Sequence, residues 1–273
     1  MIDQVSKYNK RIGLEIRLLK KSLNSEAAKT LKITNEYLNC YCKYYDLSVE
    51  FVVHAINKFS ERYVEDIKKY IDTRKYPYEL ERFKFDLSRL EYDLFLVSSI
   101  LFTRHRFLII NELNNLKLKA QNALSIGVGS GVELEFMKNK VAKLTAYDLS
   151  IGDFPMRKHE GVEFIKAGFT SDSHKYDAAF TIELIEHLSE PFELIQNVYD
   201  SLIKNGVLIV TTAKNVPQFD HLYNFKSENE FEKKVEKMGF KIKYKKVILH
   251  NYRFHKIDAN NVFYVLMKNN NGQ

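Results

Sequence analysis

The sequence predicts an α/β protein: an all-helical region over about the first 113 residues, followed by a sheet that is mostly parallel. Three observations carry this. From Met1 to Leu113 there is a single glycine, Gly13, and a single proline, Pro77, and apolar residues recur at helical spacing. Beyond the polar stretch NNLKLKAQN, residues 114–122, short β-rich runs alternate with amphipathic segments, the signature of β-α-β units. Between the first such run and the next helix lies ALSIGVGSGVELEF, residues 123–136, with three glycines at alternate positions. A glycine turn joining a strand to a helix is a frequent nucleotide site.

In the helical region Phe51, Ala55, Phe59, Tyr63, Ile67 and Ile71 recur every four residues with Val52 and Ile56 beside them, so one face of a long helix is expected to be apolar. Pro77 disfavours helix at Tyr76, and a further helical stretch is expected from about Tyr78 through Glu112. The expected strands are NALSIGVG, KLTAYDLS, VEFIKAG, YDAAFTI, GVLIVTTA, FKIKYKKVILH and NVFYVLMK. Helical stretches separate the first five. Only NYRFHKIDAN separates the last two, so those are expected to pair antiparallel.

Composition bounds the function classes. With 45% hydrophobic and 13% aromatic residues the chain can bury a full core. It opens on the charged MIDQVSKYNKR, and its longest apolar region, LFLVSSILF from Leu94, soon meets Arg104, His105 and Arg106, so neither a signal peptide nor a membrane span is expected. Cys40 and Cys42 stand two apart in a helical segment, where they do not face each other. No disulfide and a cytoplasmic location are expected. The net charge of +7 raises nucleic acid as a partner, but most charges are interspersed with acids. The densest run, FKIKYKKV, alternates lysine with apolar residues like a half-buried strand with a solvated face.

The dinucleotide fingerprint wants a glycine at its sixth position, and here Val132 follows Gly127, Gly129 and Gly131. The turn still lets backbone N–H groups approach a ligand closely. The next strand ends at Asp148, a carboxylate placed to accept both hydroxyls of a ribose.

Together LSIGVGSG, AYDLS, YDAAFTIELIEHLSEP, LIKNGVLIVTTAKN and HLYNFKSENEFEKKVEKMGF, in this order and spacing, resemble the class I S-adenosylmethionine-dependent methyltransferases over residues 120–273. The resemblance implies a Rossmann-like seven-stranded sheet with an antiparallel last strand. It divides the chain into a helical substrate-binding or lid domain, 1–113, and a methyltransferase domain, 114–273. It also implies that Gly127, Gly129 and Gly131 pack under the methionine and ribose of S-adenosylmethionine, and that Asp148, beside Leu149, binds the ribose hydroxyls. Ala167, Gly168 and Phe169 would flank the adenine, and Thr181, Ile182 and Glu183 would close the pocket near the sulfonium. The chain departs from the family at Ser125, where an acid is usual, and at Phe169, where an Asp is common.

Methyl transfer needs an aligned acceptor and, for an O–H or N–H acceptor, a base. In ELIEHL the candidates are His187 and Glu186, with Glu183 beside them. Three readings of His187 stand together: a base, a structural cap of its loop, or a metal ligand. The last follows a likeness to ubiquinone-pathway O-methyltransferases and small-RNA 2′-O-methyltransferases, which implies a divalent ion held by Glu183, Glu186, His187 and a later histidine, here His221; it is not the favoured reading. Arg106 is a candidate for the cofactor's methionine carboxylate.

The expected function is methyl transfer to an O or N atom of a small molecule or short modified peptide. The alternatives are RNA ribose 2′-O-methylation and a non-catalytic nucleotide-binding module. TIELIEHL lacks the Asn/Asp-Pro-Pro-aromatic run of base N-methylation, and no Pro-Cys stands there for cytosine C5 chemistry. A nicotinamide dehydrogenase is disfavoured by Val132 and the antiparallel sheet edge. No membrane partner is expected, and the apolar helical region suits a homodimer.

Overall fold

The computed structural model describes residues 2–21, 24–80, 87–250 and 257–269. Part of the expected helix (81–86), most of the connector NYRFHKIDAN and the end of the polar tail lie outside the described residues.

The helices of the first region are α1 (Ile2–Tyr8), α2 (Lys10–Lys21), α3 (Ser25–Tyr44), α4 (Val49–Thr73), α5 (Pro77–Leu80), α6 (Arg89–Phe102) and α7 (Arg104–Asn115). Side-chain caps set several of their starts. Ser48 accepts from the Phe51 amide at the head of α4, and Ser88 with Glu91 closes a capping box at the head of α6. The left-handed Arg74, φ 57°, ends α4 before Pro77 is reached. The stretch expected as one helix from Tyr78 to Glu112 is broken at Thr103, which is extended at ψ 114° and serves both as C-cap of α6 and N-cap of α7.

The alternating part follows as β1 (Ala120–Ile126), α8 (Leu134–Met137), β2 (Val141–Asp148), α9 (Asp153–Lys158), β3 (Val162–Lys166), β4 (Tyr176–Thr181), a 3-10 turn (Ile185–His187), α10 (Pro191–Ser201), β5 (Leu202–Lys214), α11 (Glu228–Lys237), β6 (Phe240–Leu249) and β7 (Asn260–Lys268). Among the described residues these form one seven-stranded sheet in the order β3-β2-β1-β4-β5-β7-β6. β7 inserts antiparallel to both β5 and β6, while the remaining pairs are parallel. The Rossmann-like expectation holds, including its antiparallel last strand.

The sheet is covered on both faces. One buried cluster joins the helical layer, with Ile2, Tyr37, Leu38, Ile56, Leu94 and Ile110 among its members, to Ala123, Ala146, Phe180 and Phe263 of the sheet. A second cluster packs Ile195 and Val198 of α10 and Phe231 and Val235 of α11 against Leu124, Leu208 and Tyr264 on the opposite face. β1 has β2 on one side and β4 on the other, so strand order reverses between them. The crevice outside the carboxyl ends of such strands is where open α/β sheets take ligands. In the lysine-rich β6, Lys241 and Lys243 are exposed as expected, Lys245 pairs with Glu228 and Glu232, and Lys246 pairs with Glu112. Cys40 and Cys42 are both free thiols.

Candidate active site

A cavity of about 1530 Å³ lies between the carboxyl ends of the strands and the helical layer. Gly127, Gly129, Asp148, Glu183, Glu186, His187 and Arg106 all line it, so the chain brings together most of the residues singled out from sequence.

The glycine turn is built on left-handed backbone. Gly127, Gly129 and Gly131 have φ of 75°, 53° and 79°, a region that costs an L-residue about 1–2 kcal/mol. At Gly127 a Cβ would also lie 2.7 Å from the Leu184 side chain. The turn is held from two sides. Asp148 accepts from the Gly129 amide at 2.9 Å and from the Ser150 amide at 2.8 Å. From the helical layer, Arg89 donates to the Gly129 carbonyl at 2.9 Å and to the Ser150 carbonyl while pairing with Asp93 at 2.8 Å. Arg89 has no motif around it in the sequence, and its role is visible only once α6 crosses the turn.

Glu183 is a non-glycine residue at φ 53°, strained backbone at the end of β4. Its surroundings fix it there. Its amide donates to Thr211 Oγ1 at 2.7 Å, and its Oε1 accepts from Thr211 at 2.9 Å and from Asn261 at 2.8 Å. The buried guanidinium of Arg106 lies 3.5 Å from Glu183 and 3.2 Å from Glu133. Burial opposes the Arg106 charge, but these two carboxylates raise its pKa above the usual value. Arg106 Nε is buried without a hydrogen-bond partner among the described residues.

Next to this cluster His187 Nδ1 lies 2.8 Å from the Asp220 carbonyl. A carbonyl only accepts, so Nδ1 carries the proton and neutral His187 presents the lone pair of Nε2. Burial disfavours its protonation, but the Asp220 carboxylate, 3.6 Å from Nδ1, and Glu186 outweigh burial and raise its pKa. Asp220 is fixed in turn by Tyr92 of α6, whose hydroxyl donates to it at 2.9 Å, and by Gln218 at 2.6 Å. Sequence reasoning singled out His221 in FDHLYNF and missed its neighbour Asp220.

His221 Nδ1 donates to the Val216 carbonyl at 2.9 Å, again leaving Nε2 as an acceptor, and burial pushes its pKa down to about 3. Burial, with Glu183 nearby, pushes the Glu186 carboxyl up to about 8, and its Oε2 is buried with no partner among the described residues. One ligating atom each from Glu186, His187 and His221 lies within 4.8 Å of the others. Glu183 stands outside this group, its carboxylate engaged by Thr211, Asn261 and Arg106, so of the four residues of the unfavoured metal reading three are gathered.

Several other expected contacts lie off the cavity wall. Gly131 backs onto Pro155 and Tyr37, and Leu149 is 81% exposed. Phe169 packs edge-on against Tyr147, Gly168 sits beside Leu149, and Thr181 is buried with its Oγ1 unpartnered among the described residues.

The model of a family described as "Methyltransferase domain" matches residues 102–245, more than half of the chain. The chain belongs to this family, the class I S-adenosylmethionine-dependent methyltransferases. Similar curated proteins include the ubiquinone biosynthesis O-methyltransferases of Histophilus somni, 26% identical over 109 residues (35% of this chain, 46% of that protein), and of Glaesserella parasuis, 25% identical over 121 residues (39% and 51%). The chain spans about half the length of these relatives. Among solved structures, the methyltransferase in complex with the Haloferax volcanii Trm112 activator matches with TM-score 0.52 at 13% identity, covering 66% of this chain and 98% of that one. The N-methyltransferase NodS of Bradyrhizobium japonicum, in complex with S-adenosylhomocysteine, matches with TM-score 0.50 at 14% identity, covering 61% and 88%. At such identities the two structures bear on the fold of this methyltransferase alone.

Proposed function

We propose that this methyltransferase transfers the methyl group of S-adenosylmethionine to an O or N atom of a small molecule, with a hydroxyl oxygen the best fit. The observation that carries this reading is the orientation of His187: Nδ1 is tied to Asp220, and the Nε2 lone pair is free beside a cavity continuous with the glycine turn. Gly127, Gly129 and Asp148 would hold the nucleoside end of the cofactor, and Arg106 the methionine carboxylate. When bound, the cofactor supplies an electrophilic methyl on a sulfonium. His187 Nε2 takes the acceptor's proton as the hydroxyl oxygen attacks, and Asp220 stabilises the imidazolium that forms. Glu183, held rigidly by Thr211 and Asn261, adds negative potential near the sulfonium.

The polar residues of the cavity support a small-molecule acceptor over RNA. Arg11, Lys68 and Arg104 are interspersed with Glu15, Glu61 and Glu65, and among the described residues no single-sign basic track for phosphates lines it.

A second reading, metal assistance, is favoured by Glu186, whose buried Oε2 has no partner among the described residues, gathered within 4.8 Å of ring nitrogens of His187 and His221. Both rings are oriented through their other nitrogen, as in many metal sites. Such a donor set fits a divalent transition ion, and an ion there would acidify the acceptor hydroxyl.

The test is transfer of radiolabelled methyl from S-adenosylmethionine to a panel of phenols, alcohols and amines. His187→Gln is expected to lower kcat by about 10²–10⁴-fold while leaving S-adenosylhomocysteine binding intact. Activity lost on chelation and restored by a divalent ion supports the metal reading; activity indifferent to chelation supports the base alone. Unchanged turnover in the His187 variant contradicts both.

A further inference from the structure

Resting on the methyltransferase reading, we infer that the acceptor has a bulky apolar body that lodges in the helical half of the cavity, between α2, α4 and α6, and carries a hydroxyl to His187. The cavity volume of 1530 Å³ exceeds the roughly 300–1,000 Å³ of a single small-molecule site, so it has room for a second ligand beside the nucleotide. The part lined by the helical layer includes Leu18 and Leu19 of α2, Phe59 and Ile67 of α4, and Phe95 of α6, with Arg11, Glu15, Glu61, Glu65 and Lys68 interspersed among them.

The wall has a direction. Phe95 stacks on Phe59 with centroids 3.5 Å apart and planes 11° apart, and Phe219 meets Phe59 edge-on at 5.3 Å. Tyr92 continues the strip 6.2 Å from Phe59, and its hydroxyl binds Asp220, which orients His187. A run of packed aromatic rings thus leads from the helical layer to the base. Along this strip an alkyl or aryl body gives up no hydrogen bonds to water, since it has none to lose. Leu18, 38% exposed though apolar, also lines the cavity and extends the same surface outward.

The test uses the full chain saturated with S-adenosylhomocysteine and titrated by calorimetry with 4-n-alkylphenols from ethyl to octyl. Affinity is expected to rise by about fourfold for each added methylene while the chain remains within the cavity. Leu18→Asp, at a partly exposed position that tolerates polarity, and Phe59→Leu, which keeps an apolar side chain, are each expected to weaken 4-n-octylphenol binding by tenfold or more with S-adenosylhomocysteine affinity unchanged. An affinity independent of chain length, or equal in both variants and the wild type, overturns the inference. Failure of S-adenosylhomocysteine to bind overturns the cofactor reading instead, and the alkylphenol series without nucleotide then decides the apolar chamber by the same criteria.

Discussion

Glu186 shows how far a single residue in this site departs from its solution behaviour. Burial raises its carboxyl to about 8 from an ordinary 4.5, so the native state favours the protonated form. A folded pKa above the unfolded one gives a stability contribution that is complete below pH 4.5 and is lost as pH rises toward 8. His221 and His250, lowered to about 3 and 4 by burial, act in the opposite sense, with native stability falling as pH drops below their unfolded pKa near 6.5. Glu186→Gln keeps the shape and removes the titration. In metal-free protein, urea unfolding at pH 5, 6.5 and 8 is expected to show the variant gaining on the wild type with rising pH, by an amount on the order of a few kcal/mol. A difference independent of pH contradicts the buried, partnerless carboxylate. Residues of this kind were only partly legible in the sequence. Glu186 and His187 could be found because they follow a strand end in a short run. Arg89 and Asp220 could not, and neither could the hydrogen bond from Tyr92 to Asp220, because each acts on a residue far away in sequence or through a side chain whose direction only packing sets.

Among the elements, the strand-to-helix turn after β1 was the most readable, because left-handed backbone leaves a glycine where other residues leave none. Gly129→Ala is expected to destabilise the fold by about 1–2 kcal/mol in thermal or urea unfolding. It should also weaken S-adenosylhomocysteine binding, since φ 53° is required and the amide is fixed to Asp148. Retention of both properties contradicts the role given to the turn. The long helix α4 was also legible, but its face was read at a spacing of four. An α-helix turns about 100° per residue, so a strict i+4 row drifts by about 40° at each step. The structure accordingly buries Val52, Ala55, Ile56, Phe59 and Ile67, while Phe51, Tyr63 and Ile71 are only half-buried. The break at Thr103 carried no proline or glycine to announce it. Thr103 takes an extended conformation there without a side-chain cap bond at the head of α7, so no local capping signal marks the break either.

At the scale of the molecule, the helical layer and the sheet share buried contacts from Ile2 to Phe263 in one cluster, and the cavity lies between them. Residues 114–273 expressed alone would expose Ala123, Ala146 and Phe180 on the face the helices cover. That fragment is expected to lack a cooperative thermal transition by circular dichroism; a transition like that of the full chain contradicts the shared core. The two halves also divide the chemistry. The sheet supplies the glycine turn, Asp148, Glu183 and His187, and the helices supply Arg89, Tyr92 and Arg106. The α/β class was readable from periodicity and the Rossmann-like sheet from the family resemblance, whereas this division of labour needed the packing. The central claim is that the glycine turn and Asp148 hold S-adenosylmethionine. The most direct test is calorimetric titration of the full chain with S-adenosylmethionine, S-adenosylhomocysteine and NAD, repeated with Asp148→Ala. The expected result is micromolar binding of both sulfur nucleotides, weakened by about 100-fold or more in the variant, and none of NAD; binding of NAD alone, or sulfur-nucleotide binding indifferent to Asp148, would contradict it.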